Sequence, residues 1–515
     1  MKVADILAAI EQLIQYGVKS GLLAHEDIVY ARNRLLAALR LEEWWPVEVK
    51  DTSFSSPSPI LETVLDWAYE RGLLQTNTTA ERDIWSAKLM DCLMPRPSEV
   101  IREFYAKYHK EAKLATDWFY SFSKASNYIQ TARIAKNQQW KVKTAYGELD
   151  ITINLSKPEK DPREIAKLKD APTSSYPQCL LCKENEGYEG TWHHPARSNH
   201  RVIPITLLDE TWYFQYSPYV YYNEHCIVFH AEHVPMKMER KTFARLLDFI
   251  EKFPHYFIGS NADLPIVGGS ILAHDHFQGG NYTFAMEKAE IEEYILFPSF
   301  PSLTAGIVRW PMSVIRLCGK KEEVLEAVDC IYETWRTYSD PSVDIYANSG
   351  NVPHNTVTPI ARRRGDLFEM DIVLRNNRTS YEHPYGIFHP HKELHHIKKE
   401  NIGLIEVMGF AVLPGRLAGE LEALATYLVR NTKKDKWDET LLKHRDWYEH
   451  IRAAYPNITE ENVSDILRHE VGQRFITVLE HAGVFKRNEK GKQAFRTFLR
   501  KVQENVMTRG RTFKR

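Results

Sequence analysis

Val3, Ile6, Leu7, Ile10, Leu13 and Ile14 recur at steps of three and four, the interval that lines one face of an α-helix. Ile28, Ala31, Leu35 and Leu39 repeat the pattern, with Gly17 and Gly21 punctuating the join. A Ser/Pro loop (DTSFSSPSP) follows at residues 51–59, and amphipathic segments then resume to about residue 140. Residues 1–150 are therefore expected to form a helical N-terminal region. Nothing there has catalytic spacing, so packing or interaction is its expected role. Residues 151–177 read as a linker, because Lys157–Pro177 is charged and contains prolines.

Beyond the linker the texture changes. Tyr213–Tyr222 and Cys226–Phe229 are aromatic and β-branched, as strands prefer. Residues 239–253 return to a helical period, and Ser270–Gln278 again predicts a strand. This interleaving continues to about residue 415, which predicts an α/β or α+β middle. From Ala418 helical patterns dominate, giving a helical C-terminal region over 418–515. Its last thirty residues carry eleven Lys/Arg against two acids, which reads as a solvated helix face or tail, with docking onto an acidic partner as the alternative.

Composition narrows the function classes. In 515 residues, 67 Lys and Arg balance 68 Asp and Glu, for a net charge of -1. That balance argues against a nucleic-acid coat or an electrostatic membrane binder. A hydrophobic content of 43% with 26% charged residues describes a chain able to bury a core. Its 12 Trp, 26 Tyr and 22 Phe suit sugar or base stacking but more often fill a core. Six cysteines are too few to staple such a chain, no secretory-signal pattern opens it, and no apolar run reaches the ~18 residues that span a bilayer. The expected setting is a reducing cytoplasm, where a close cysteine pair points to metal or redox chemistry rather than a disulfide.

The sharpest local feature is the run Gly268-Gly269-Ser270-Ile271-Leu272-Ala273-His274-Asp275-His276-Phe277-Gln278-Gly279-Gly280. On a strand, His274, His276 and Gln278 share a face in steps of ~7 Å. Two imidazoles and an amide make a poor core surface, since each needs a hydrogen-bond partner when buried. The flanking glycines let backbone approach a ligand, and their amides can receive a phosphate. Upstream, Cys179-Leu180-Leu181-Cys182 suits either a tetrahedral zinc or a redox pair. Its setting after Pro177, with histidines downstream, favours metal, and His233 and His274 are the expected further ligands.

His274-Asp275-His276-Phe277-Gln278 resembles the His-x-His-x-Gln motif of the galactose-1-phosphate uridylyltransferases, a branch of the histidine-triad superfamily. Cys179-x-x-Cys182, the run Ser217–Phe229 and His230-Ala231-Glu232-His233 agree with it, in the same order. The long helical N-terminal extension and HDHFQGG resemble the second, Gram-positive bacterial class. The resemblance implies an α+β fold with a double histidine-triad-like core and antiparallel sheets. A first half with the catalytic motif would span 178–335, and a degenerate second half 336–417.

The same resemblance implies a double displacement in galactose metabolism. His276 would attack the α-phosphorus of UDP-glucose, releasing glucose 1-phosphate and leaving a uridylyl-histidine. Galactose 1-phosphate would then take the uridylyl group and depart as UDP-galactose. Gln278 would hydrogen-bond a phosphoryl oxygen. Ser270, Gly268 and Gly269 would meet the leaving phosphate. Cys179, Cys182, His233 and His274 would hold a structural zinc. Arg197, Asn199, His200 and Arg201 (HPARSNHR) form a basic cluster suited to phosphate or to a solvated turn, and Asn223 suits nucleotide contact or a turn cap. Neither nucleic acid nor membrane is an expected partner, and a homodimer is one option for the assembly.

Departures from the family pattern fall in the second half. Met370 and Ile372 stand where some relatives place two metal-binding histidines, so a second metal is not expected there. Met408-Gly409-Phe410-Ala411 lacks the glutamate that relatives carry in the hexose-binding segment, which leaves hexose specificity open. His389, His391, His395 and His396 form a cluster read mainly as surface or phosphate-facing, with a second metal site as the alternative. Arg362-Arg363-Arg364 suits a phosphate or a solvated turn. Two rival functions remain: a phosphorylase or hydrolase passing the same adduct to phosphate or water, and an inactive nucleotide-binding protein.

Overall fold

The structure is a computed structural model that describes residues 3–49, 55–156, 176–432 and 437–512. Most of the expected linker, residues 157–175, lies outside the described residues. The chain divides into two compact units. The first comprises 1–136, 156–234 and 274–276, and the second 137–155, 235–273 and 277–515.

Fifteen strands are present among the described residues. In chain order they begin with β1 (Gln138–Thr144), β2 (Gly147–Asn154), β3 (Ile203–Leu207), β4 (Glu210–Tyr216) and β5 (Cys226–His230). Next come β6 (Phe257–Gly259), β7 (His276–Gly280), β8 (Ile291–Ile295), β9 (Thr304–Val308) and β10 (Val314–Gly319). The last are β11 (Asn348–Ser349), β12 (Val352–Pro353), β13 (Asn355–Arg364), β14 (Leu367–Asn376) and β15 (Phe410–Pro414). Within each unit the strand pairs are antiparallel except β15 and β2, where Phe410 faces Asp150 in parallel register. The fold class is therefore α+β, and the α/β alternative is set aside.

In the first unit the apolar stripes become helices as their spacing predicts. Helix Val3–Lys19 buries Ile6, Leu7, Ile10 and Leu13 completely and packs against helix Ser58–Glu70. Helices Pro97–Tyr108 and Ala112–Ala125 bring Phe104 and Phe119 onto Phe214 of β4, with ring centroids 6.4 and 6.0 Å apart. All three rings are fully buried, worth at most about 1.5–3 kcal/mol each. Tyr216 anchors the same wall by donating its hydroxyl to the Thr116 carbonyl at 2.8 Å.

The second unit runs β7–β6–β13–β14–β10–β9–β8 across one antiparallel sheet. Alternation gives this sheet two very different faces. Val357 and Ala361 of β13, Met370, Ile372 and Leu374 of β14, and Ile315 and Leu317 of β10 are fully buried. They form the face on which helices Arg240–Lys252 and Lys321–Thr337 pack. The alternate positions, among them Thr358, Arg362, Glu369, Asp371, Arg375 and Arg316, are also buried but polar. A smaller sheet, β1–β2–β15, packs its β1 against helix Val463–Ala482. Gly472 permits that approach, since a Cβ there would lie 2.5 Å from Val142 Cγ1.

Three expectations change. The helical region ends at Ile134, and Gln138–Asn154 is a β-hairpin whose Leu149, Ile151 and Ile153 are buried. The strand expected over Tyr213–Tyr222 stops at Tyr216, because the chain then turns through Val220 and Glu224 at φ of 37 and 55. The strand expected from Ser270 begins only at His276. His274 therefore stands before the strand and is not on the face that His276 shares with Gln278.

Candidate active site and metal centre

The displacement of His274 has a backbone cause. The His230 amide donates to the Asp275 carbonyl at 2.9 Å, and the Asp275 amide donates to the Val234 carbonyl at 2.7 Å. These bonds bind residues 230–234, at the end of β5, to 274–275, and bring His233 and His274 to ring centroids 5.0 Å apart. Cys179 and Cys182 meet them. Asn185 fastens the cysteine turn by donating to the carbonyls of Cys179 and Cys182, both at 2.8 Å. His194 Nε2 in turn lies 2.7 Å from Asn185 Oδ1.

The four side chains converge. Cys179 Sγ lies 3.6 Å from Cys182 Sγ and 3.3 Å from His274 Nδ1. Cys182 Sγ lies 3.2 Å from His233 Nδ1 and 3.7 Å from His274 Nδ1. A tetrahedral ion with sulfur at about 2.3 Å and nitrogen at about 2.0 Å has ligand–ligand edges of about 3.3–3.8 Å, so the spacing fits a metal ion. His274 is also in the right tautomer. Its Nε2 lies 2.8 Å from the His230 carbonyl, which can only accept, so the ring proton sits there and Nδ1 keeps its lone pair for the cluster. Burial pushes the Cys182 thiol up, as expected where no organic cation faces it, and binding a metal would release that proton.

His276 uses the same device with the nitrogens exchanged. Its Nδ1 lies 2.8 Å from the His274 carbonyl, so Nδ1 carries the proton and Nε2 holds a lone pair. The ring is 5% exposed, and burial lowers its pKa to about 4, which keeps it neutral near pH 7. Gln278, two residues further along β7, lies opposite Gly259 of β6. A Cβ at Gly259 would meet Leu404 Cδ1 at 2.7 Å, so the glycine keeps that pairing tight.

The remaining expected contacts separate. Gly268 and Gly269 have packing reasons of their own: added Cβ atoms would lie 2.5 Å from the Ala262 carbonyl oxygen and 2.7 Å from Asn261 Nδ2. Ser270 and Asn223 are exposed, and Asn223 Nδ2 donates to Glu224 Oε1 at 3.0 Å. Arg197 lies over the Tyr128 ring at 5.5 Å. Arg201 departs from the phosphate-binding expectation, because its donors are committed to Asp91 Oδ1 and to the carbonyls of Pro95, Ser198 and His200. It ties the helical region to β3 instead.

Met370 and Ile372 of β14 lie on the helix-covered face and are fully buried. The opposite face of β14 carries Glu369 and Asp371, and arginines neutralise both. Arg316 grips Asp371 with Nε at 2.7 Å and Nη2 at 2.9 Å, and Arg362 Nη2 reaches Asp371 at 2.6 Å and also pairs with Glu369. The Arg362-Arg363-Arg364 run is thus neither a phosphate clamp nor a solvated turn at Arg362. Arg363 lies over Phe368 at 4.0 Å, and Arg364 pairs with Glu287 and Glu369, each at 3.0 Å. The FHPHKELHH histidines do not converge either. His389 and His395 approach the Pro390 carbonyl, while His396 Nδ1 meets His444 Nδ1 at 2.8 Å.

Sequence reasoning missed the ion-pair group and the carbonyls that set the imidazole tautomers, and it read His200 as part of a phosphate-binding or solvated basic cluster. His200 is fully buried, stacked on Tyr128 at 4.2 Å and bonded to Gln215 Oε1 at 2.9 Å. Alternating charge along RRR and FEMDI was the available signal for the ion pairs. Backbone acceptors leave no mark on a sequence.

These features belong to a recognisable class. The profile of the galactose-1-phosphate uridyl transferase N-terminal domain matches residues 21–235, and that of the C-terminal domain matches residues 249–447. The chain belongs to the galactose-1-phosphate uridyl transferase family. A galactose-1-phosphate uridylyltransferase of Halalkalibacterium halodurans is 57% identical over 97% of this chain and 99% of its own length. Those of Caldanaerobacter subterraneus and Bacillus subtilis are each 54% identical over 96% of this chain, covering 98% and 97% of their own lengths. No solved structure matches the chain.

Proposed function

We propose that this chain is a nucleotidyltransferase of galactose metabolism, exchanging a uridylyl group between UDP-glucose and galactose 1-phosphate through His276. Near-full-length identity to enzymes of that name supports the activity. The observation that carries the chemistry is the His276 Nδ1 contact with the His274 carbonyl, which leaves Nε2 as a buried, neutral nucleophile. Nε2 donates its lone pair to the α-phosphorus, an N–P bond forms, and the P–O bond to the β-phosphate breaks. Glucose 1-phosphate leaves with that electron pair. The His274 carbonyl then faces the N–H of a positively charged uridylyl-imidazolium, which it stabilises. A phosphate oxygen of galactose 1-phosphate next attacks the phosphorus, the N–P bond breaks, and UDP-galactose departs as the lone pair returns to Nε2. Gln278 offers an amide N–H to a non-bridging phosphoryl oxygen while charge redistributes, without moving a proton.

Cys179, Cys182, His233 and His274 are assigned to zinc, which when bound supplies structural rigidity. Its value to the reaction lies in fixing the His274 carbonyl, and through it the His276 ring. Ser270, Gly268, Gly269, Asn223 and Arg197 remain assigned to substrate contact. We read 178–335 and 336–417 as two histidine-triad-like halves, flanked by 1–150 and 418–515. Six free cysteines suit a reducing cytoplasm.

The test is the intact mass of the protein after incubation with UDP-glucose alone. A uridylyl-sized adduct is expected on the wild type and not on His276→Gly, discharged by galactose 1-phosphate to UDP-galactose. An adduct discharged only by water or phosphate would favour a hydrolase or phosphorylase. No adduct on the wild type would overturn the assignment of His276 as nucleophile.

A further inference from the structure

Outside the Cys/His centre, a second group of metal-ligating side chains converges within the second unit. His391, Glu393 and His481 each present a ligand atom, all within 4.8 Å of one another. They come from two elements far apart in sequence. His391 and Glu393 belong to the short turn around Lys392–Leu394, and His481 lies in the last turn of helix Val463–Ala482. The two rings lie tilted by 34° with centroids 4.2 Å apart, and the His391 amide makes a long contact to His481 Nδ1 at 3.3 Å.

We propose that His391, Glu393 and His481 form a second metal site, for a divalent transition ion of the zinc type, which clamps the 387–394 loop to the end of helix Val463–Ala482. Two imidazoles and one carboxylate are a donor set that zinc accepts, with a fourth position left for water. His391 is already oriented for it. Its Nε2 lies 3.0 Å from the Ile387 carbonyl, so the ring proton sits there and Nδ1 keeps its lone pair, the same backbone device that sets His274. His481 Nε2 lies 3.9 Å from Glu393 Oε1. Coordination through Nε2 moves that ring's proton to Nδ1, so the ring must also turn its Nδ1–H away from the His391 amide that it now accepts from at 3.3 Å.

Ligand edges around zinc are about 3.3 Å for two nitrogens, so the group must contract by up to about 1.5 Å. Glu393 can close its own 3.9 Å to His481 Nε2, because its side chain is 63% exposed, and the two rings supply the rest. Its ion pairing among the described residues is with His481 alone, so no Lys or Arg has to be displaced. His383 stacks on His391 at 4.0 Å and buttresses the ring without donating a ligand. Lys486 already donates to the carbonyls of Glu480, His481 and Gly483, at 3.1, 2.9 and 2.9 Å. The helix end is thereby satisfied, and the ion would be held by side chains.

Cobalt(II) separates the two centres, since thiolate ligands give a strong near-ultraviolet charge-transfer band and a His/His/Glu set does not. Titration of the full-length protein is expected to show the thiolate band, plus a further equivalent that adds only weak visible ligand-field bands. That equivalent is expected to disappear in His481→Ala and to bind at least about 10-fold more weakly in Glu393→Gln, with the thiolate band unchanged in both. The unchanged band reports an intact first unit, and the conservative change at the exposed Glu393 guards against a misfolded histidine variant in the second. A wild type that takes up no further equivalent, or a further equivalent that both variants retain, would overturn the proposal.

Discussion

The Cys/His centre of the first unit and the charged face of β14 in the second are both buried and polar, yet they satisfy their groups in opposite ways. Around Cys179, Cys182, His233 and His274 the ligand atoms point at one another across 3.2 to 3.7 Å with no Lys or Arg between them. That arrangement leaves thiols desolvated and uncompensated until a metal ion enters. On β14 the carboxylates of Glu369 and Asp371 meet Arg316, Arg362 and Arg364, so each charge already has a counter-charge supplied by the chain. The lesson is that a cluster of potential ligands becomes a metal site only where its charge is left open.

Metal removal should break this comparison most sharply. Structural zinc in small domains is worth about 10–16 kcal/mol, so stripping the ion or making Cys182→Ser is expected to unfold the first unit locally and abolish uridylyl transfer. Hydrogen exchange should show residues 179–234 losing protection while β13 and β14 keep theirs. Equal loss in both regions would mean that the cysteine cluster is not an independent support. His276→Ala is the companion variant, expected to lower kcat at least about 10^4-fold while metal content stays at the wild-type level. A parallel loss of metal would show that the ring is structural.

The ion-pair face should respond to a different set of changes. Asp371→Asn leaves Arg316 and Arg362 sharing Glu369, and removing one partner of a buried ion group costs about 3–5 kcal/mol. Chemical denaturation should register that loss, with metal content unchanged. Arg362 and Arg316 hold the Asp371 carboxyl below its ordinary value despite the burial that opposes them. Its contribution is therefore complete above the unfolded pKa of about 4 and is lost as pH falls below it. Chelators should leave this limb of the stability profile untouched.

Much of the site was readable before the fold, and the parts that were not share a cause. Cys179, Cys182, His233 and His274 could be grouped because metals demand particular atoms, and residue type alone reveals those. The helices of the first unit were readable because Ile6, Ile10 and Leu13 recur at the helical period. The strand start at His276 was missed because no residue type within Ser270–Gln278 marks a break, while the bonds that bend the chain there are amide to carbonyl. Arg201 misled for the reverse reason: its residue type suits phosphate, and only the fold shows Asp91 and three carbonyls filling its donors.

His200 offers the smallest and finest test, because it is a third way to bury a polar group, with neither metal nor counter-ion. Burial, reinforced by Arg197 and Arg201, lowers its pKa to about 3, and Gln215 bonds its ring. The ring is neutral in the folded protein down to that pH, whereas the unfolded chain takes up a proton below about 6.5. The unfolded state then binds more protons, so stability is complete above pH 6.5 and falls as pH drops towards 3, by about 1.4 kcal/mol per unit for this one group. His200→Phe keeps the stack on Tyr128 but cannot titrate. It should lose about 1 kcal/mol at neutral pH, from the unmade bond to Gln215. Between pH 6 and 4 its stability should decline less steeply than the wild type's by one proton. Parallel slopes for the two proteins would mean that His200 is protonated in the folded state and that the surrounding arginines tolerate its charge.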